Sequence, residues 1–100
     1  MLDDFTIDSL TEQIGAIFEV VSEEKTIFTV TLEKINIHIQ TKQHQNFSLQ
    51  FRGPLRPSIT QGIQTIVHPK FGTSEIFLVP IAKDADGYLY EAVFNRIQSN

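Results

Sequence analysis

One hundred residues, of which 41% are hydrophobic and 20% charged, fit a single globular domain spanning 1–100. A net charge of −4 with eight scattered Lys and Arg excludes nucleic-acid binding by counterion release, and the absence of Cys excludes disulfides, thiolate nucleophiles and sulfur-ligated zinc. No run approaches the ~20 apolar residues of a membrane-spanning helix, and the opening "MLDDFTID" lacks the basic region and apolar run of an export signal, so the expectation is a cytoplasmic protein without membrane contact.

In chain order, "IDSLTEQI" (7–14) predicts the one helix, with Asp8 or Ser9 as its cap, Ser9 and Glu12 at capping-box spacing, Leu10 and Ile14 facing inward, and Gly15 ending it. "AIFEVV" (16–21) predicts a strand and "SEEK" (22–25) a polar turn. "TIFTVTLEKINIHIQ" (26–40) is a long β-branched run in which the apolar parity slips: Phe28, Val30 and Leu32 share one face, Ile35, Ile37 and Ile39 the other. A strand changes its buried face only through a bulge or a break, and with neither Gly nor Pro at hand a bulge at Glu33-Lys34 is preferred over two strands. "TKQHQ" (41–45) predicts a loop and "NFSLQFR" (46–52) a strand with Phe47, Leu49 and Phe51 inward. "GPLRPSITQG" (53–62) predicts a connection, "IQTIVH" (63–68) a strand ended by Pro69, and "PKFGTS" (69–74) a turn. "EIFLVPI" (75–81), apolar on both parities, reads as a strand covered on both sides, with Pro80 at an edge or bulge. "YLYEAVFN" (88–95) closes the set. Six or seven mostly antiparallel strands and one short N-terminal helix predict a mainly β domain, either a small barrel or a two-layer sandwich.

Candidate chemistry is sparse. Asp84-Ala85-Asp86-Gly87 resembles part of a calcium loop, but alignment of Gly87 with the sixth position puts Ala82 at the first and Val93 at the twelfth, where charged ligands belong. Between alternating strands it reads as a hairpin turn. His38, His44 and His68 match no compact zinc spacing and read as surface or turn residues, so no metal site and no cofactor are expected. No Ser lies in a nucleophile elbow: Ser48 is mid-strand, and Ser58 and Ser74 are in loops. Asp3-Asp4 and Glu23-Glu24 suit a solvated surface, since neighbours on a strand point to opposite faces. The sequon Asn46-Phe47-Ser48 has no bearing in a chain read as unexported. Arg52, before Gly53-Pro54, reads as a lock on the following loop, with a binding anchor as its other role. Tyr88, Tyr90, Ala92 and Phe94 share a parity that reads as core lining; left exposed, the row would be the partner surface.

"FSLQFRGP", then "QG", "HP" and "IFLVPIAKDADGYLYEAVFNR" resemble a small bacterial domain-of-unknown-function family of the DUF6916 type, over nearly the whole chain. The resemblance carries over to Phe47, Leu49, Phe51, Arg52, Gly53 and Pro54, and to Gly62, His68, Pro69, Pro80, Gly87, Tyr90, Glu91, Phe94 and Asn95, as fold-keeping rather than catalytic positions. It implies no activity, and suggests a role beside phage-tail-type proteins. The resulting expectation is a non-enzymatic domain that binds another protein, or forms a homo-oligomer, through a sheet edge or through Arg52, Tyr88, Tyr90 and Phe94. The alternative is a small-molecule-binding barrel or minor enzyme with a cavity lined by Phe47, Phe51, Tyr88 and Tyr90.

Overall fold

The computed structural model describes residues 6–97; the Asp3-Asp4 pair lies outside them. Helix α1 is shorter than its pattern suggests, Ile7–Thr11. Thr6 caps it in place of Asp8 or Ser9: its extended backbone lets Oγ1 accept from the Ser9 N–H at 3.0 Å, satisfying one free donor of the first turn. Ile7 and Leu10 are the buried pair, three residues apart, and Ile14 is 49% exposed. The chain has left the helix by then, and Gly15, at φ 94°, donates its N–H to Leu32 O at 2.7 Å. The cap, the inward pair and the helix end are therefore corrected: Glu12 is the C-cap, and Gly15 lies in the turn beyond it.

Six antiparallel strands follow among the described residues: β1 (Ile17–Val21), β2 (Ile27–Gln40), β3 (His44–Gly53), β4 (Gly62–His68), β5 (Gly72–Asp84) and β6 (Gly87–Ile97). They close into a barrel in the order β1-β2-β3-β6-β5-β4, so the barrel and not the sandwich is the architecture. Closure rests on a short seam in which Glu19, Val20 and Val21 pair with Val67, Ile66 and Thr65. The interior is filled by alternating inward residues, as expected for a barrel of few strands. Phe18, Val20, Leu32, Phe47, Leu49, Phe51, Leu78 and Tyr90 are all fully buried there.

Two strands begin earlier than expected. β3 begins at His44 inside the expected 41–45 loop, and β5 begins at Gly72 inside the expected 69–74 turn. β5 is not covered on both sides: Ile76 and Leu78 are buried, but Phe77 is 51% exposed, because the outer wall of the closed barrel faces solvent there. Pro80 does adjoin a bulge, with Tyr90 opposite Pro80 and Leu89 opposite Ala82. The β1–β2 connection is a tight turn in which Lys25 donates to Ser22 O at 2.9 Å and itself adopts φ 68°. Ser22 Oγ accepts from the Thr26 N–H at 3.0 Å, bracing the same turn.

The parity slip in β2 is a bulge at Glu33. Leu32 faces Phe51 and Lys34 faces Gln50, after which Ile35 and Ile37 take over the inward face opposite Leu49 and Phe47. A second bulge, at His38, sets Ile39 opposite Asn46 and so turns it to the other face; the expected common face of all three isoleucines is corrected there. Beyond the first bulge β2 leaves β1. Its last seven residues, Lys34–Gln40, continue with β3 and β6 as a three-stranded arm that reaches roughly 20 Å past the β1 seam, at ~3.3 Å per residue.

Candidate functional site

Arg52 stands where β2, β3 and the β5–β6 hairpin meet. Its Nη1 donates to Asp84 Oδ1 and Oδ2 at 3.0 and 3.1 Å and to Gly87 O at 3.4 Å, while Nε lies 3.5 Å from Glu33 Oε2 on the bulge. The guanidinium is a planar fork of fixed donors, so one side chain ties the bulge to the hairpin. Asp84 also accepts from the Asp86 N–H at 2.8 Å, which folds the Ala85-Asp86 turn. That backbone donor is the largest cause holding the Asp84 carboxyl below its ordinary value; Arg52 and the Gly87 backbone add to it, and partial desolvation opposes. Both oxygens of Asp84 are thus engaged within the protein, and the stretch is a hairpin turn joining β5 to β6. Gly87 is required by the backbone: at φ 129° any Cβ would run into the carbonyl of Gly53. Gly53 in turn approaches Tyr90 and Val30, where an added Cβ would sit 3.1 Å from each.

The aromatic row of β6 faces the interior. Tyr90 and Ala92 are buried, and Tyr88 and Phe94 are half-buried and packed on the core. Tyr88 stacks on Tyr90 at 5.9 Å, and Phe94 on Phe47 at 5.2 Å. The Arg96 guanidinium lies 5.7 and 5.6 Å from the Phe47 and Phe94 ring centres. Phe51 meets Phe18 edge-on at 5.4 Å, and Phe47, Phe51 and Tyr90 belong to the buried core, with Tyr88 packed against it. The Tyr90 hydroxyl accepts from the Ile59 N–H at 3.3 Å and pins the 54–61 connection across that end of the barrel. Burial raises its pKa, so the phenol stays neutral.

His68 is no surface residue. It is 8% exposed, its ring 4.5 Å from Phe18 and 5.0 Å from Phe71, and its Nδ1 accepts from the Lys70 N–H at 3.0 Å. Desolvation, aided by the Lys70 charge, lowers its pKa, so it is a neutral packing residue at the β4–β5 turn, with Pro69 exposed beside it. His44 donates from Nε2 to Asn95 Oδ1 at 2.7 Å, and Asn46 Nδ2 lies 3.4 Å from the same oxygen; these polar contacts link β3 to β6 in the arm. Glu91 and Pro54 are half-buried, Glu91 lying between Gln50 and Val79 on the outer wall. Among the described residues no three His, Asp or Glu side chains converge as metal ligands, and no helix is long and apolar enough to cross a membrane. The structure thus joins Arg52 to Gly87, and Tyr90 to Gly53, but sets His68 and Asn95 apart from both groups.

Sequence reasoning did not single out the outer edge of the arm. Over Lys34–Gln40 β2 pairs with β3 alone among the described residues, and Ile37 and Ile39 are 47% and 39% exposed. Strand length was the signal that could have found it: β2 has 14 residues and its neighbour β1 only 5, so β2 must overhang.

The family model described as Domain of unknown function (DUF6916) matches residues 5–94, which takes in the helix, strands β1 to β5 and β6 as far as Phe94. No curated protein and no solved structure matches the chain. With nine-tenths of its length inside the family model, the chain belongs to the DUF6916 family of uncharacterised domains.

Proposed function

We propose that this domain is a binding rather than a catalytic module, and that it takes another protein by accepting a strand along the free edge of β2. One observation carries the reading: Lys34–Gln40 presents an unpaired backbone row, among the described residues, beside half-exposed isoleucines. Backbone N–H and C=O groups on such an edge are hydrated, and an incoming extended segment exchanges water for ladder hydrogen bonds while its side chains meet Ile35 and Ile37. The segment contains no Pro and only one charged residue, Lys34, so it carries few of the usual guards against strand addition. The bulge at His38 limits the regular stretch and thereby the length of strand that fits. A phage-tail-like or secreted assembly, suggested by the sequence resemblance, is where the partner would be sought.

Parallel affinity capture from native lysate with wild type and Ile37→Lys tests this reading. A stoichiometric protein held by the wild type and lost by the variant, with new hydrogen-exchange protection at Lys34–Gln40, is the expected result. Equal capture by both, or protection elsewhere on the barrel, would refute it. A light-scattering mass near twice 11.4 kDa, abolished by the same variant, would make the partner a second copy.

A further inference from the structure

The segment of β2 that is an edge among the described residues is complementary to itself. We propose that the strand it accepts is the same segment of a second copy of this chain, laid antiparallel about a two-fold axis through Asn36. Two three-stranded arms then become one six-stranded sheet, with the same patch used on both copies. The proposal rests on the edge reading above and adds the partner and the register.

The stretch "KINIH" (34–38) carries the complementarity. With the axis on Asn36, Ile35 of one copy stands opposite Ile37 of the other, Asn36 opposite Asn36, and Lys34 opposite His38. Residues directly opposite in an antiparallel pair share a face and interact through their side chains. Apolar therefore meets apolar on one face, and polar meets polar on the other. Ile37 is 47% exposed and Ile35 is half-buried on the core, so the second copy covers what its own fold leaves open. Lys34 is the one formal charge in Lys34–Gln40, and the axis sends the two lysines to opposite ends of the contact. No like charges are set face to face, which would oppose pairing.

The fold leaves no neighbouring register. An axis on Ile37 would set Ile35 opposite Ile39, but the bulge at His38 has already turned Ile39 to the other face. An axis on Ile35 would set Ile37 opposite Glu33, whose carboxylate lies 3.5 Å from Arg52 Nε in the first bulge. It would also carry the incoming His38 onto Leu32, where the edge is occupied: Leu32 O accepts from the Gly15 N–H at 2.7 Å, and its N–H donates to Ala16 O at 3.0 Å. An axis between two residues would oppose residues that point to different faces, which a continuous sheet does not allow. Bulges interrupt a ladder, so the two at Glu33 and His38 confine the pairing to five residues a side. Stable interfaces use about 20–30 residues a side, so the dimer is one that dilution dissociates.

The chain has no Cys, so single-cysteine variants report the register directly. Asn36→Cys is expected to form a disulfide-linked dimer under mild oxidation. The axis places it opposite itself at the ~4.5–5.5 Å Cα separation of a cross-strand pair, inside the ~4.4–6.8 Å range of disulfides. Lys34→Cys and His38→Cys should each resist linkage alone and cross-link when mixed. Light scattering of the wild type should give a mass rising with concentration toward twice 11.4 kDa, and Ile37→Lys, folded by circular dichroism, should stay at the single mass. A wild type that remains monomeric across the concentration series would overturn the inference, as would Lys34→Cys linking to itself as fast as Asn36→Cys. If such a monomer still captures a lysate protein that Ile37→Lys loses, the edge reading survives and self-pairing alone fails. A dimer indifferent to Ile37→Lys, with no hydrogen-exchange protection at Lys34–Gln40, would sink both.

Discussion

The two halves of β2 are one strand in two environments. From Ile27 to Thr31 it pairs with β1, β3 joining on the other side from Thr31 onward, and Phe28, Val30 and Leu32 are buried in the barrel interior. From Lys34 to Gln40 it has β3 on one side alone, among the described residues, and its residues are half-buried or exposed. Both halves are β-branched and alternating, so strand propensity does not separate them. What separates them is the Glu33 bulge, at which β1 is left behind. The pair teaches that local sequence made a single long strand, while neighbours decided which part is core and which part is edge.

The largest test of that contrast compares truncations across the bulge. Leu32→Ala should destabilise by about 3–4 kcal/mol, because a fully buried side chain leaves a cavity, whereas Ile37→Ala should cost under about 1 kcal/mol at its half-exposed position. Paired denaturant melts check this, and equal losses would end the distinction between barrel and arm. Next is Gly87→Ala at the hairpin, expected to cost about 2–3 kcal/mol from positive-φ strain and the encounter with the Gly53 carbonyl; a neutral result would show that the hairpin can move off the barrel.

Arg52→Ala acts at the bulge itself. Its ion pairs are partly solvated, so about 1 kcal/mol is expected, with faster hydrogen exchange near Glu33 and Asp84. The acid side adds a signed test. Asp84 titrates below its unfolded value, so its contribution is present above the ordinary carboxylate pKa and is lost as pH falls through the lowered one. Asp84→Asn should therefore lower stability near neutrality, where that contribution is fully present, and flatten the profile on the acid side, where wild type loses it. The smallest effect is Tyr90→Phe, about 1 kcal/mol or less, since it removes one hydrogen bond and no packing. Its diagnostic is faster exchange at Ile59; no change there would show that the connection is held by Ile59 packing alone.

Much of this architecture was legible residue by residue. The slip between Leu32 and Ile35 revealed the Glu33 bulge because a one-residue shift reverses every buried position. The second bulge, at His38, left no such mark: Ile39 keeps the parity of Ile37, and both are substantially exposed, so neither parity of β2 stands out as buried there. The apolar run Glu75–Ile81 suggested cover on both sides, and sequence cannot show that the outer wall beside Phe77 is solvent. Arg52 was expected to lock the connection that follows it, but its partners Glu33, Asp84 and Gly87 belong to the β2 bulge and the β5–β6 hairpin, which its own stretch of sequence does not show. His68 looked like a turn residue because Phe18, the ring that buries it, comes from β1.

By itself the sequence determined the strands, the turns, the Gly87 hairpin and the inward alternation of Phe47, Leu49 and Phe51, since these depend on backbone geometry and period over a few residues. Tertiary structure alone decided the closure of β1 on β4, the stranding of Lys34–Gln40 as an edge, and the tie of Arg52 to Glu33 and Asp84. Those outcomes depend on which distant segments become neighbours, and that is settled by how one closed sheet fills its interior.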